Sequence, residues 1–508
     1  MNKSYKLNLS ILLFLFAVFP IKLTFLYFVF SKPVKVKSNK NRSEILDAEN
    51  NLIATSMQTY SIYSLPHEVI DDYNVISKNL SDILNQKQRN IYRRLTLHNK
   101  FVWITRHISP QKANQASSFG YSGIYISKDC IRFYPFVNLF LHVLGKVTDE
   151  NNGLTGVEKY YDDYLKNEDN PPLKLSLKSS VQNILRQELL NGKLKYNANF
   201  VSGIIICAKT GKILAMYSKT SKEKKSNPHV LDAKNDTNIA IQSRYELGSI
   251  MKVLSSSMFF EKDIVNPETK LAIPASYSIG GHKIKDYALK HSNTIELSFQ
   301  QAFLYSSNVA FISLAETIEL EDQKEFYKKI GLFEDWSIDK IFVKGAITPK
   351  KIRKCDVSVF SYGYGISISL STYCRAVLRV LTGKNMDLHI EQNPLYKKEE
   401  SLRIIDKSTV KKLRFILGEN VRKHVSKYNF RGISVGGKTG TAKKYTQKGY
   451  ISNSHMSSFV FVYPLEDPQI IGLIVLDDPK KNDIALFGSQ SSMLISFSII
   501  EKLINLNQ

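Results

Sequence analysis

The amino-acid sequence predicts an α+β protein with more than one domain. Its 508 residues exceed the length of an ordinary single domain, so two or three units with their own cores are expected. With 43% hydrophobic residues, the chain has enough apolar side chains to fold as a globular protein. In its second half, segments with helical spacing lie on both sides of strand-like apolar runs, which is typical of an antiparallel sheet flanked by helices.

The first predicted element is an N-terminal membrane helix. Residues Leu7 to Phe30 form a run of 24 residues with one charge, Lys22. At ~1.5 Å per residue, this run is long enough to cross a hydrocarbon layer of ~30 Å. The segment FVFSKP lacks the small residues that signal-peptide cleavage needs, so an uncleaved anchor is favoured over a signal peptide. More basic residues follow the run than precede it, and the positive-inside rule alone would place the rest of the chain in the cytoplasm.

A polar stretch, KNEDNPP at Lys166 to Pro172, marks the predicted boundary between two domains. Residues 31–172 precede the boundary, and residues 173–508 follow it. The elements expected after the boundary are a helix at Ser176–Leu190, two strands around a turn within Phe200–Ser218, a buried helix at Ser249–Glu261, two strands joined by a Pro/Asp turn from Ser457, and a helix at Ser491–Asn505.

The charge balance limits the choice of partners only weakly. Lysine and arginine outnumber aspartate and glutamate by 70 to 46, for a net charge of +24. This excess favours anionic surroundings such as nucleic acid, lipid headgroups or an acidic polymer. The basic residues are scattered and mostly lysine, which fits a compositional bias at least as well and does not predict a nucleic-acid partner.

The cysteines do not suggest a metal site or a disulfide framework. Cys130, Cys207, Cys355 and Cys374 are far apart and form no C-x-x-C pair. Cys207 ends an apolar strand-like run, and a buried free thiol is expected there. The sequence indicates no metal and no organic cofactor.

The stretch GISVGGKTGTAKK, Gly432 to Lys444, matches the phosphate-binding pattern G-x-x-x-x-G-K-[ST]. A phosphate loop needs a buried strand before it and a helix beginning at the lysine, and the flanking residues predict neither. Ile433 and Val435 instead alternate as on a strand that leads into Lys438. We therefore expect Lys438, Thr439, Gly440 and Thr441 to line a ligand site on a strand, with Gly440 allowing close approach and Lys438 facing a carboxylate. A second K-T-G at Lys209 to Gly211 most simply forms a hairpin turn, so the tripeptide alone is a weak signal.

Ser249 and Lys252 form an S-x-x-K motif at the start of the buried helix. A separation of three residues places both side chains on one helix face, about one turn apart. The first turn of a helix favours developing negative charge at Ser249. Apolar neighbours of Lys252 would lower its pKa, so that it could accept a proton at neutral pH. A surface serine and lysine on an ordinary helix would produce the same letters by chance.

A third element, Ser306-Ser307-Asn308, lies between two apolar helical stretches. Ser306 could relay protons to Lys252, and the Asn308 amide could hold a substrate amide. An isolated S-x-N is more often a helix cap or a turn. The ordered occurrence of all three motifs is far more specific, because together they form the set of β-lactamases and penicillin-binding proteins.

With these motifs, the chain resembles the class B penicillin-binding proteins, and within them the division-type, FtsI-like peptidoglycan D,D-transpeptidases. The resemblance extends over nearly the whole chain after the apolar run. Further stretches similar to family landmarks are Arg42–Ser56, Ile131–Val147, Gly153–Leu165, Ser361–Leu370 and Val435–Lys444.

The resemblance implies an architecture and a location. Residues 1–6 would be a cytoplasmic tail, residues 7–30 a single transmembrane anchor, and residues 31–172 a mixed α/β, non-catalytic pedestal domain of the dimerisation type. Residues 173–508 would form the transpeptidase domain, with the β-lactamase-like serine acyltransferase fold. The protein would lie in the inner membrane with its catalytic domain in the periplasm, against the orientation suggested by the charge count.

The resemblance also implies roles for individual residues. Ser249 would be the acylated nucleophile and Lys252 its general base, with Ser306 and Asn308 completing the proton relay and substrate contacts. Lys438, Thr439 and Thr441, on the strand that contains Gly440, would hold the terminal carboxylate of the substrate. The backbone N–H groups of Ser249 and Thr441 would form the oxyanion hole.

The implied partners are peptidoglycan stem peptides on lipid-linked nascent glycan, a SEDS-type septal glycan polymerase, other divisome proteins, and β-lactams as covalent inhibitors.

The sequence departs from the family at several positions beside the motifs, which puts loop geometry in doubt but changes no proposed catalytic group. Ser43 stands where Gly is usual, Ala208 where Asp is usual, Leu247 where Pro is usual and Ile250 where Thr is usual.

Three alternatives to a septal transpeptidase remain open. The enzyme could act on the side wall during elongation, because the septal role depends only on the subfamily resemblance. Water could replace the amine acceptor, as in a D,D-carboxypeptidase or a β-lactamase, although no glutamate for deacylation is identified. The chain could also be a division scaffold whose catalytic activity is dispensable.

Overall fold

The computed structural model describes residues 41–97, 99–220, 238–286, 293–394, 398–425, 430, 432–446, 449–482 and 484–506. These residues divide into two compact units: residues 56–131, and residues 42–55 together with the rest of the chain from Arg132. No helix in the described ranges is both long and apolar enough to cross a bilayer. The predicted tail at 1–6 and span at 7–30 lie outside those ranges.

The first unit is a small α/β module. Its strands are parts of β2 (Leu52–Ser64) and β4 (Ile124–Phe133) together with β3 (Val102–Ile108), and its helices are α1 (Tyr73–Leu84), α2 (Gln88–Leu95) and α3 (Pro110–Ser117). β2 and β3 pair antiparallel, with Tyr63 opposite Trp103. Ile62 and Ile104 pack with Leu80 and Ile91 in one hydrophobic cluster.

The second unit begins with short elements around a buried ion cluster. They are β1 (Ile45–Leu46), α4 (Val137–Leu144), α5 (Gly156–Tyr160), α6 (Asp162–Leu165) and β5 (Leu173–Lys174). Arg42 and Arg132 both contact the buried carboxylate of Glu158, at 2.8 and 2.7 Å. These contacts connect three of the family-like stretches, and the two arginines compensate the buried charge of Glu158.

The remaining elements of this unit follow in chain order. Its helices are α7 (Ser179–Lys195), α8 (Ile239–Gln242), α9 (Lys252–Glu261), α10 (Phe299–Leu304), α11 (Asn308–Glu316), α12 (Leu320–Lys329), α13 (Lys354–Phe360), α14 (Leu370–Thr382), α15 (Lys407–Val425) and α16 (Ser492–Leu506). Its strands are β6 (Phe200–Cys207), β7 (Ile213–Thr220), β8 (Lys270–Ile273), β9 (Tyr277–Ile279), β10 (His282–Ile284), β11 (Ile295–Ser298), β12 (Trp336–Ile338), β13 (Ile341–Val343), β14 (Gly436–Thr446), β15 (Gly449–Tyr463), β16 (Ile470–Asp477), β17 (Lys480–Lys481) and β18 (Ile484–Ala485).

A five-stranded antiparallel sheet, in the order β14-β15-β16-β6-β7, forms the centre of the second unit. Alternate residues of each strand point to opposite faces. Ile205 on β6 packs in the same cluster as α7 and α16, whereas Ile204 packs in the cluster that contains α9, α14 and α15. Helices cover both faces, which explains why β6 and β16 are apolar along nearly their whole length.

Most of the predicted elements are confirmed, with shifted boundaries. The helix expected at Ser176 begins at Ser179, and the hairpin, the strand pair after Ser457 and the C-terminal helix are all present. The strand predicted through Ile433 begins only at Gly436, because Ile433 closes a turn by donating from its backbone N–H to Phe430. The prediction that Cys207 is buried is wrong, because it ends β6 beside the turn and is only half-buried.

Candidate active site

Ser249 lies in a 3-10 turn, Gly248–Met251, that leads directly into α9. The turn starts at Gly248 with a φ of 61°, and the Gly248 N–H donates to the Gly363 carbonyl at 3.2 Å. Lys252 follows one turn later, as the spacing predicts. Its Nζ lies 2.9 Å from the Ser249 Oγ.

Lys252 is fully buried and surrounded by oxygen atoms. Its Nζ lies 2.7 Å from the Asn308 Oδ1, 3.2 Å from the Ser306 Oγ and 3.0 Å from the Ser306 carbonyl oxygen. Burial lowers the pKa of Lys252 well below its usual range, and the nearby charge of Lys438 lowers it further, while Asp286 has the opposite effect. An amine with a lowered pKa next to a hydroxyl is the arrangement that activates a serine nucleophile.

Ser306, Ser307 and Asn308 connect α10 to α11 and face Lys252 from a second direction. Ser306 has a φ of 57°, in the left-handed region, and Ser307 caps α11 by accepting from the Ala310 N–H at 3.0 Å. The cap expected for an isolated S-x-N is therefore present, but on Ser307. The two flanking residues, Ser306 and Asn308, remain directed at Lys252.

Asp286 anchors this connection and was not identified from the sequence. Its carboxylate accepts from the Ser307 hydroxyl at 2.6 Å, the Asn308 N–H at 2.6 Å and the Val309 N–H at 3.1 Å. Asp286 lies more than twenty residues before Asn308. No local motif marks it, so only the fold shows its connection to the S-x-N element.

Lys438 is on β14, and its side chain is buried close enough to Lys252 for its charge to act on that amine. Its Nζ lies 5.4 Å above the ring of Phe303, and burial lowers the pKa of Lys438 to about 7. The side chain of Lys438 lies on the face of the strand that Gly440 shares, because residues two apart point the same way.

Gly440 allows β14 to pack closely against the Ser249 turn. A Cβ at this position would lie 2.7 Å from the Leu247 carbonyl oxygen and 2.3 Å from the Ser458 Oγ. The expected reason for a glycine here was close approach by a ligand, whereas this contact comes from the protein itself. Thr439 and Thr441 are both half-buried and lie near Gly488. The Gly488 N–H donates to the Thr441 Oγ1 at 3.0 Å.

The segment Ser361–Gly365, part of a family-like stretch with no predicted role, contacts the Ser249 turn. Gly363 has a φ of 97°, and a Cβ there would lie 1.9 Å from the Gly248 carbonyl oxygen. Tyr364 accepts from the Lys443 N–H of β14 at 3.1 Å. The eight predicted site residues thus lie on three elements that meet around Lys252, and this segment joins two of them.

The described residues contain no group of three His, Cys, Asp or Glu side chains arranged to hold a metal ion.

Two family models match the chain. Residues 201–493 match the penicillin-binding protein transpeptidase domain, and residues 37–171 match the penicillin-binding protein dimerisation domain.

Several curated proteins are similar over most of their length. Stage V sporulation protein D of Bacillus subtilis is 27% identical over 497 residues, covering 86% of this chain and 74% of that protein. The peptidoglycan D,D-transpeptidase FtsI of Escherichia coli is 25% identical over 484 residues, covering 87% and 79%. FtsI of Buchnera aphidicola subsp. Baizongia pistaciae is 24% identical, covering 99% of this chain and 96% of that protein.

Solved structures share the fold. A peptidoglycan synthetase from Bifidobacterium adolescentis aligns with a TM-score of 0.71 at 17% identity, covering 93% of this chain and 96% of that one. Penicillin-binding protein 2X from Streptococcus thermophilus aligns with the same TM-score at 18% identity, covering 93% and 79%. With a transpeptidase model over more than half of its length, a dimerisation model before it and FtsI among its relatives, the chain belongs to the penicillin-binding proteins, in class B and of the FtsI type.

Proposed function

We propose that this chain is a peptidoglycan D,D-transpeptidase that cross-links stem peptides through an acyl-Ser249 intermediate. The observation that carries the proposal is the buried Lys252 amine, 2.9 Å from the Ser249 Oγ, in a chain of this family. The substrate would be the D-Ala-D-Ala end of a stem peptide on lipid-linked nascent glycan. β-Lactams would acylate the same serine because they resemble that end.

In the first half of the reaction, the neutral amine of Lys252 takes the Ser249 proton as Oγ attacks the scissile carbonyl. The N–H groups of Ser249 and Thr441 hold the developing oxyanion, a contribution of about 3–4 kcal/mol per donor in other enzymes. Lys252 then returns the proton, through Ser306, to the departing D-Ala nitrogen as the C–N bond breaks. Asn308 holds the substrate amide, while Lys438, Thr439 and Thr441 bind the terminal carboxylate and Gly440 keeps their strand close to the turn.

In the second half, the amine of a neighbouring stem peptide attacks the acyl ester. Its proton passes to the Lys252 and Ser306 pair and then to the Ser249 Oγ as the ester C–O bond breaks. The product is a new peptide cross-link, and the serine is restored for the next cycle.

The location and partners extend the same proposal. The tail would be residues 1–6 and the inner-membrane anchor residues 7–30. The pedestal would be residues 31–172, and the periplasmic transpeptidase domain would be residues 173–508. Septal action is supported by relatives named FtsI, although another is named for sporulation. A SEDS-type glycan polymerase and divisome proteins would be the partners at the septum.

Mass spectrometry of the penicillin-treated full chain tests the chemistry. We expect one adduct, on the peptide that contains Ser249, and none on Ser249→Ala. An adduct elsewhere, or none on the wild type, would contradict the proposal. Added D-amino acid acceptors should yield the amide product, whereas a carboxypeptidase or β-lactamase would release only the hydrolysed acid.

Complementation separates an enzyme from a scaffold. In a strain depleted of its septal transpeptidase, the wild-type chain should restore septation and Ser249→Ala should not. Equal rescue by both would assign a scaffold role. No rescue of septation there, with rescue of elongation in a second strain depleted of its side-wall transpeptidase, would assign the side-wall role.

A further inference from the structure

Glu246 precedes Ser249 by three residues and is half-buried. Its Oε1 accepts hydrogen bonds from the Gly365 N–H at 2.7 Å and from the Tyr450 hydroxyl at 3.1 Å. Its Oε2 is buried and has no hydrogen-bond partner among the described residues. No step of the proposed reaction uses this carboxylate.

The two donors belong to two segments that pack around the Ser249 turn. Gly365 ends the Ser361–Gly365 segment, in which the Gly363 carbonyl accepts from the Gly248 N–H. Tyr450 is on β15, the neighbour of β14, and its ring lies 5.4 Å from that of Tyr364. One carboxylate therefore connects the start of the Ser249 turn to both the glycine segment and the hairpin that presents Lys438.

Stability alone does not account for a carboxylate at this position. No lysine, arginine or histidine of the described residues lies within 4.0 Å of it, and burial raises the pKa of Glu246. A buried charge without a cation is costly, and a glutamine of the same shape would accept the same two bonds without that cost. The charge does strengthen the bonds it accepts, because charge-assisted hydrogen bonds are about twice as strong as neutral ones.

The hydrogen bonds of Glu246 go to the Gly365 N–H and the Tyr450 hydroxyl and not to Lys252. The groups whose charge changes the pKa of Lys252 are Lys438 and Asp286. Glu246 therefore acts through the backbone that it holds.

We propose that the ionised carboxylate of Glu246 is a positioning residue, which keeps the Ser361–Gly365 segment and β15 in register with the Ser249 turn during acylation. The inference depends on the proposed function, because acylation of Ser249 is the step that it serves. The titratable groups that face Glu246 are Tyr362 and Tyr364 on the segment and Tyr450 on β15. All three are tyrosines whose pKa values are raised, first by burial, so among the described residues only Glu246 titrates here in acid.

The test measures the second-order rate of acylation of the full chain by a fluorescent penicillin. We expect Glu246→Gln to acylate about 10–100-fold more slowly, because small displacements of reacting groups have effects of that size. Tyr450→Phe removes one of the two bonds, so its acylation should be slower than that of the wild type but faster than that of Glu246→Gln. The matched control is Glu261→Gln at the far end of α9, a carboxylate that also accepts from a backbone N–H, and its rate should equal that of the wild type.

The pH dependence separates positioning from a purely structural role. The ratio of wild-type to Glu246→Gln rates cancels the titration of Lys252, which both proteins share. We expect this ratio to be constant at neutral pH and to fall towards one in acid, with a midpoint above 4.5, because a protonated glutamate resembles glutamine.

A ratio of one at neutral pH, or a ratio that does not change with pH, would overturn the inference. If Glu246→Gln fails to fold, Tyr450→Phe decides, because a wild-type rate in that variant also contradicts the positioning role. A wild-type chain that binds no penicillin would instead refute the proposed function.

Discussion

The amine of Lys252 has more oxygen atoms around it than an ammonium can donate hydrogen bonds to. Its Nζ lies within 3.2 Å of four oxygen atoms, including the Ser249 Oγ and the Asn308 Oδ1. An ammonium donates three hydrogen bonds and accepts none, whereas a neutral amine donates two and accepts one. Only the neutral form can accept from the Ser249 hydroxyl, and burial with a second lysine nearby favours that form.

The neutral amine leads to a prediction for Lys252→Arg. Arginine keeps a positive charge but does not lose its proton at accessible pH. We expect penicillin acylation to fall by about 10²–10⁴-fold, the usual contribution of a general base. The wild-type rate should rise with pH through a midpoint well below 10.5, because the folded-state pKa of Lys252 is lowered. An acylation rate of Lys252→Arg equal to that of Lys252→Met would agree with the role of Lys252 as base. A rate close to that of the wild type would contradict that role.

Asp286→Asn should change both the rate and its pH dependence. An amide cannot accept all three of the bonds made by Asp286, and the loss should destabilise the chain by about 1–3 kcal/mol. Removing the negative charge also removes an attraction that raises the pKa of Lys252, so the rate profile should shift to lower pH. The measurement is acylation against pH, with the surface variant Asp263→Asn as control. A shift to higher pH would contradict the electrostatic part of the argument.

At the scale of elements, the sequence predicted what local patterns encode. Helical spacing pairs Ser249 with Lys252. Two other local patterns are the alternation of side chains along β14 and the hairpin turn at Lys209 to Gly211. Asp286, Glu246 and Gly363 were missed because their partners lie 21–204 residues away and no short motif records those contacts. The strand boundary at Gly436 was missed for a local reason, since a turn to Phe430 overrides the alternation of Ile433 and Val435.

The contact between the Gly363 segment and the Ser249 turn can be tested with two glycines. Gly363→Ala and Gly280→Ala both place a side chain at a positive φ, 97° and 54°. Such strain costs about 1 kcal/mol at 54°, in the left-handed region, and more at 97°, outside it. The Gly363 Cβ would also overlap the Gly248 carbonyl, whereas nothing lies within 4 Å of a Cβ at Gly280. Acylation should therefore be lost in Gly363→Ala and retained in Gly280→Ala, and equal rates would show that the contact does not hold the turn.

His389 ties the hairpin turn before β7 to distant acidic residues. Its ring nitrogens lie 2.8 Å from Asp339 and 2.9 Å from Glu400, and its backbone N–H donates to Gly211. Burial lowers the pKa of His389, but the hydrogen bonds to the two carboxylates outweigh it, so the pKa is raised above 6.5. Protonation therefore favours the folded state.

The stabilisation from His389 should be complete below pH 6.5 and should disappear as pH rises through the raised folded-state pKa. His389→Gln should lower the free energy of unfolding by about 3 kcal/mol in acid and by less in base, because breaking a buried ion pair has effects of that order. The thermal midpoint from pH 5 to 9 measures this, with the exposed His282→Gln as control. A loss independent of pH would show that the ring acts by packing alone.

At the scale of the whole molecule, two features could attach the chain to a membrane. The net charge of +24 attracts anionic headgroups, and the apolar run at 7–30 would insert into hydrocarbon. Salt separates the two, because the screening length falls to about 3 Å at 1 M ionic strength while burial of apolar surface persists.

We expect the full chain to stay with the membrane fraction at 1 M salt and to leave it only in detergent. A chain of residues 31–508 has lost three lysines (Lys3, Lys6 and Lys22) and all of the apolar run. It keeps nearly the same charge and should be released at that salt concentration, while still being acylated by penicillin. Release of the full chain by salt alone would mean that headgroup attraction accounts for attachment and that residues 7–30 do not span the bilayer. Retention of both chains at 1 M salt would place a second apolar membrane contact in the body of the protein, which the anchor proposal does not include.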